Sequence, residues 1–153
     1  MIAEKAVADR KRLVPIPPEL DDVTAAALPN AVIGSVMALR FRGHLKKGET
    51  VLINGATGFT GRIAVQMARY YGAGKILVTG RNEQALETLV PLGADEIITI
   101  GRSDGDFTDQ INDSLRRGPI DVIIDYLWGH TAELILSCLK GDGAFTRKTR
   151  FVA

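Results

Sequence analysis

The sequence predicts an α/β fold built on a doubly wound parallel sheet. Three observations predict it. From Val51 onward, short apolar runs alternate with stretches of helical periodicity; a glycine cluster joins the first such run to the first helix; and 153 residues, 46% hydrophobic and 24% charged, make one ordinary globular domain with a real core. Strands alternating with crossover helices build a parallel sheet covered on both faces, and right-handed crossovers make double winding the simplest topology.

The first fifty residues have a different character. Leu13-Val14-Pro15-Ile16-Pro17-Pro18 carries three prolines, so it is extended and unsuited to an inner strand. Asp21 or Asp22 caps a short helical turn through Ala25-Ala26-Ala27. Asn30 is expected to cap a second, longer helix, whose apolar face is Val32, Val36, Met37, Leu39 and Phe41. Gly43 and Lys46-Lys47-Gly48-Glu49 mark the turn into the first strand.

Val51-Leu52-Ile53 reads as that strand, and residues 62–71 place Ile63, Ala64, Met67, Ala68 and Tyr71 at helical spacing. Residues 75–79 form the next strand, and 82–90 the next helix, closed by Pro91 and Gly93. A third strand covers 96–100, an amphipathic helix 107–115, a fourth strand 120–124 and a helix about 131–139. Arg150-Phe151-Val152-Ala153 opens a fifth strand. The expectation is a fold truncated in or after that strand, because dinucleotide folds of this kind usually have six.

A formal net charge of +1 argues against nucleic acid and an anionic membrane surface as partners, and Arg10-Lys11-Arg12 reads as a solvated face. One cysteine, Cys138, excludes an internal disulfide. Two histidines, His44 and His130, lack spaced metal-binding partners. The charged opening Met1-Ile2-Ala3-Glu4-Lys5 is no signal peptide, and no apolar run approaches the ~20 residues of a membrane span, so the expectation is a cytoplasmic protein.

The informative stretch is Asn54-Gly55-Ala56-Thr57-Gly58-Phe59-Thr60-Gly61, lying between a strand and a helix. In a G-x-G-x-x-G loop the first glycine makes the tight turn, the second lets the backbone approach a pyrophosphate, and the third packs helix on strand. Here Ala56 replaces the first glycine, with Gly55 one residue earlier, while Gly58 and Gly61 keep the other two roles. Free amides and the helix dipole then hold the phosphate charge. The candidate contacts are Ala56, Thr57, Gly58, Phe59, Thr60 and Gly61. At the end of the next strand, 19 residues past Gly61, an NAD site expects a carboxylate for the ribose 2′-hydroxyl. Thr79-Gly80-Arg81-Asn82 stands there instead. Gly80 leaves room and Arg81 offers a charged fork, so this segment is expected to select NADP(H).

Glycine loops of this kind resemble those of atypical short-chain dehydrogenases, in which the first strand comes near the N-terminus. The flanks here point elsewhere. Ala3-Glu4 with Val7-Ala8, Leu13-Val14-Pro15-Ile16-Pro17, Ala25-Ala26-Ala27-Leu28-Pro29 and Leu45-Lys46-Lys47-Gly48-Glu49-Thr50-Val51-Leu52 resemble the quinone oxidoreductase branch of the medium-chain dehydrogenase/reductase superfamily. Val65-Gln66-Met67-Ala68-Arg69, Leu92-Gly93-Ala94-Asp95 and Ile120-Asp121-Val122-Ile123-Ile124-Asp125 continue that resemblance downstream.

The resemblance implies a Rossmann-type NADP(H)-binding domain at residues 19–153, preceded at 1–18 by the tail of a catalytic domain. It implies hydride transfer from NADPH to a quinone or an α,β-unsaturated carbonyl acceptor. Zinc-dependent relatives carry a cysteine just before the Asn30 region, where this chain has Leu28-Pro29-Asn30, so no zinc is expected in this chain. Asn30, Ile33 and Tyr126-Leu127-Trp128-Gly129 would lie toward the nicotinamide, with Tyr126 a packing or ribose contact or a proton donor. Tyr126-Leu127-Trp128 departs from the small residues the family commonly carries there, and Trp128 is expected to pack on the next helix. Cys138 reads as core and His130 as a helix-start residue. No catalytic residue is assigned, and turnover by this chain alone is left open. The alternative is a non-catalytic NADP(H)-binding or redox-sensing module. The resemblance also implies a homodimer through the sheet edge.

Overall fold

β-Branched and aliphatic runs set the sheet. In the computed structural model, which describes residues 4–101, 103–140 and 148–153, the strands are β1 (Thr50–Asn54), β2 (Lys75–Gly80), β3 (Glu96–Thr99), β4 (Val122–Asp125) and β5 (Arg150–Val152). All pairings are parallel, in the order β3-β2-β1-β4-β5. The chain reverses direction across the sheet between β1 and β4, and in such sheets ligands bind outside the carboxyl ends of the strands at that reversal. The opening Met1-Ile2-Ala3 lies outside the described residues.

Side chains alternate across the strands, and each face has its own core. Val51, Ile53, Ile76, Val78, Val122 and Ile124 pack with Ala64, Val65 and Ala68 of α2 (Phe59–Tyr70) and Leu86 of α3 (Glu83–Glu87). Leu52, Leu77, Ile98 and Ile123 pack on the other face. Their partners are Phe107, Ile111 and Leu115 of α4 (Asp104–Arg117) and Ile135 of α5 (His130–Cys138). This is the doubly wound arrangement that the alternation of elements predicts. Cys138 joins the second core, as its spacing implied.

Helix starts differ from the sequence reading by up to three residues, for local reasons. α2 begins at Phe59 and takes Gly61 into its first turn. α4 begins at Asp104 because Ser103 caps it, accepting from the amide of Asp106. Asn82 caps α3 in the same way, accepting from the amide of Ala85, and His130 does begin α5.

The larger correction concerns the N-terminal helices. A single helix, α1 (Asp22–Val36), runs through Pro29, with Asp21 as its cap. Asn30 therefore sits in the middle of α1 and caps nothing. Proline inside a helix costs about 3 kcal/mol. Ala31, Ser35 and Leu39, at four-residue spacing, are buried on one side of the helical run, which packs on α2. That burial opposes the cost. A π-helical stretch (Met37–Arg42) extends the run to 21 residues, Asp22–Arg42, within which an 18-residue window has mean hydropathy 1.4. By length and composition it is long and apolar enough to cross a membrane, which overturns the expectation that no apolar run approaches that length. The opposite side carries an exposed ridge of Ile33, Met37 and Phe41. Upstream, residues 4–19 are exposed throughout.

Candidate functional site

The turn after β1 is where the strand ends and the glycines meet. Gly55 adopts φ +82°, and an added Cβ there would stand 2.7 Å from the side chain of Leu127. Only glycine combines that backbone with that neighbour. Gly61 lies so close to the turn that a Cβ would fall 2.6 Å from the Cα of Ala56. This is the helix-on-strand packing expected of the third glycine. Gly58 differs from both, since nothing lies within 4 Å of where its Cβ would be. It is the N-cap of α2 and has no side chain to cap the first turn, so the leading amides of α2 are left for another acceptor.

These residues border a crevice of about 470 Å³, within the range of small-molecule and cofactor sites. Thr57, Gly58, Phe59, Thr60 and Gly61 form one wall; Gly80 and Arg81 stand at the β2 end, and Tyr126 stands at the β4 end. Arg81 is exposed and is the one charged residue among the described residues of the lining. The cradle fits a dinucleotide: it offers glycine-cleared backbone, helix N-terminal amides and, among the described residues of its lining, no carboxylate to repel phosphate.

The other residues named from sequence lie elsewhere. Ala56 and Thr79 are fully buried beneath the crevice, and the Thr79 hydroxyl is committed to Asn54 and to the amide of Gly55. Asn82 is occupied as a helix cap. Asn30 is exposed on α1, outside the crevice lining. Leu127 lines the crevice, within the segment expected toward the nicotinamide; Gly55 and Ile100 line it too but were not among the candidate contacts. Ile100 directly follows β3, and the rule that ligands gather beyond strand carboxyl ends would have marked it.

Tyr126 separates this crevice from a second cavity of about 250 Å³, bordered by Met37, Ala38, Arg42, Asp125 and Val152. Its hydroxyl lies 3.5 Å from Ser35 Oγ. Burial pushes the phenol above its ordinary value despite the opposing Ser35 contact, so it keeps its proton at neutral pH. Trp128 was expected to pack on the following helix; the ring contact the structure gives it is with β5. It holds φ +58° and sets its ring edge-on to Phe151 of β5, with centroids 6.5 Å apart. The cause is Asp125, whose Oδ1 accepts from the amides of both Leu127 and Trp128 and turns the chain there. Among the described residues no three His, Cys, Asp or Glu side chains group to hold a metal ion.

Strand order, glycine turn and crevice together define a dinucleotide-binding α/β domain. Comparison with known proteins narrows that class. Residues 60–147 match the family model described as zinc-binding dehydrogenase. The chain is 33% identical to a quinone oxidoreductase of Pongo abelii, over 92% of its own length and 42% of that protein's. It superposes on the crystal structure of CurK enoyl reductase with a TM-score of 0.75 and 30% identity, covering 90% of this chain and 39% of that one. It superposes on the quinone oxidoreductase of Thermus thermophilus, solved also as its complex with NADPH, with a TM-score of 0.67 and 28% identity; coverage is 82% and 39%. The chain belongs to the zinc-binding dehydrogenase family, as a cofactor-binding domain of the quinone oxidoreductase-like branch of the medium-chain dehydrogenases/reductases. It spans less than half the length of each of these three relatives.

Proposed function

We propose that this domain binds NADP(H) and presents it for hydride transfer to a quinone or an α,β-unsaturated carbonyl acceptor. The observation that carries the reading is the crevice lining: Arg81 at the β2 end, where an NAD site would place a carboxylate, and no acidic side chain among the described residues of the wall. The nicotinamide supplies the hydride chemistry when bound, and the protein supplies binding and orientation. The first-turn amides of α2 hold the pyrophosphate, with Gly58 leaving the approach clear. Arg81 pairs with the 2′-phosphate. Tyr126 packs against the nicotinamide half, its hydroxyl kept in place by Ser35.

In this reading residues 1–18 are the tail of a catalytic domain. Exposure of Val7, Leu13, Val14 and Ile16, and relatives more than twice as long, support that division. A zinc-free, cytoplasmic protein and a homodimer through the β5 edge complete the proposal.

The test is parallel titration of the chain with NADPH and NADH. NADPH is expected to bind at least tenfold more tightly. Arg81→Ala should erase the difference, because a charge-assisted hydrogen bond to phosphate is worth about 1.5–3 kcal/mol. Equal affinities for the two nucleotides in the unmodified chain would overturn the NADP(H) assignment.

A further inference from the structure

Three polar side chains are buried side by side at the carboxyl ends of the three central strands. Thr79 of β2, Asn54 of β1 and Asp125 of β4 are 0%, 0% and 6% exposed. They form one unbroken hydrogen-bonded chain. The Thr79 hydroxyl donates to Asn54 Oδ1 at 2.6 Å, and the Asn54 amide donates to Asp125 Oδ1 at 2.8 Å. Asp125 Oδ2 has no hydrogen-bond partner among the described residues.

Each end of the chain holds a turn. At one end the amide of Gly55 donates to Thr79 Oγ1 at 3.1 Å. At the other, the amides of Leu127 and Trp128 donate to Asp125 Oδ1 at 3.0 and 3.1 Å. Gly55 and Leu127 are both wall residues of the crevice. Both turns contain left-handed backbone: φ is +82° at Gly55, +58° at Trp128 and +64° at Gly129. Glycine adopts such backbone freely, but at Trp128 it persists only where the surroundings over-determine it.

Packing alone does not require this arrangement, since aliphatic side chains would fill the same interior at lower desolvation cost. The central member must accept from a hydroxyl and donate to a carboxylate at once. A primary amide does both, whereas an ionised carboxylate or an alkyl group does not. We infer that Thr79, Asn54 and Asp125 are positioning residues: their relay fixes the phosphate turn against the β4–α5 turn and so holds the crevice open in its binding geometry. The inference rests on the nucleotide-binding reading above.

Thr79→Val keeps the side-chain shape and removes the hydroxyl. The expected result is about tenfold weaker NADP+ binding, restored to within about twofold by Thr79→Ser. Amide hydrogen exchange of the nucleotide-free chain supplies the readout that a local packing role would not move. In Thr79→Val, exchange should quicken at Leu127 and Trp128, two links away, as well as at Gly55, while the amide of Ile111 in the opposite core stays protected. Faster exchange confined to Gly55, or unchanged NADP+ affinity beside a wild type that binds, overturns the relay and leaves the nucleotide-binding reading standing. A folded wild type that binds no nicotinamide nucleotide takes both down. Should Thr79→Val fail to fold, Asn54→Asp gives the same decision. It sets a second carboxylate against Asp125, so binding should recover as the pH is lowered and the pair takes up a proton; a flat profile overturns the relay.

Discussion

Gly61 rests directly on the backbone of Ala56, so that one added carbon would fall 2.6 Å from the Ala56 Cα. The obstruction is main chain, which cannot swing aside as a flexible side chain can. Gly61→Ala should therefore displace the phosphate turn and destabilise the domain by about 1–3 kcal/mol, the usual range for overpacking. Thermal denaturation checks it, with a lowered midpoint expected and no compensating gain from the better helix former.

Gly58→Ala is the matched contrast. With nothing within 4 Å of its Cβ position and φ at −72°, alanine fits the free domain, and the melting midpoint should stay within about 2 °C of wild type. Nucleotide binding should nevertheless fall about tenfold or more, because the new methyl enters the space through which a pyrophosphate approaches. Calorimetric titration with NADPH reads the loss.

Arg150 ties the amino-terminal end of the sheet. It pairs with Glu49 at 2.7 Å, with side chains 27% and 20% exposed, and donates to the carbonyls of His44 and Asp121. Burial alone would raise the Glu49 carboxyl. The Arg150 hydrogen bond, the Lys46 amide and the charges of Arg150 and Lys46 outweigh it and leave the pKa below its ordinary value. A depressed carboxylate stabilises the fold above its unfolded pKa of 4.5 and loses that contribution as the pH falls through the folded value. Arg150→Met should cost about 2 kcal/mol at neutral pH. The gap to wild type should narrow below about pH 4.5 in urea denaturation series.

His130 behaves in the opposite sense. Its Nε2 lies 2.8 Å from Asp104 Oδ2. Chiefly that hydrogen bond, then the Asp104 charge, raises the imidazole above its ordinary value. The contribution is complete below about pH 6.5 and disappears as the pH rises through the folded pKa. Proton NMR titration should place His130 above 6.5, and Asp104→Asn should bring it down.

Burial also pushes the Cys138 thiol up, against a smaller opposing contact with Ser137. At pH 7 the thiolate is scarce, and thiol reagents should label Cys138 slowly in the native domain and rapidly once it is unfolded in denaturant.

The sheet was legible in the sequence because its signals are short-ranged: Val51-Leu52-Ile53, 75–79 and 120–124 are bounded by turn residues within a few positions. The glycine loop was legible for the same reason, since eight consecutive residues carry it. Pro29 misled because its cost is local while the compensating burial of Ala31, Ser35 and Leu39 against α2 is tertiary. The buried polar relay was illegible for a related reason. Thr79 stands 25 residues from Asn54, and Asp125 stands 71 residues from it. No local pattern joins them; only strand register does.

That separation has a kinetic meaning. β2 and β3 follow β1 in the chain, and the β3-β2-β1 half of the sheet closes over single helical crossovers. β4 must then dock on the open edge of β1 across an interval of 71 residues. Loop-closure entropy makes such non-local parallel pairing slow. Until it happens, β1 is a hydrophobic edge with unsatisfied main-chain groups, open to pairing with another chain. Refolding is accordingly expected to pass through a half-sheet that is prone to aggregate and unable to hold a nucleotide. The crevice is among the last parts of the domain to be born.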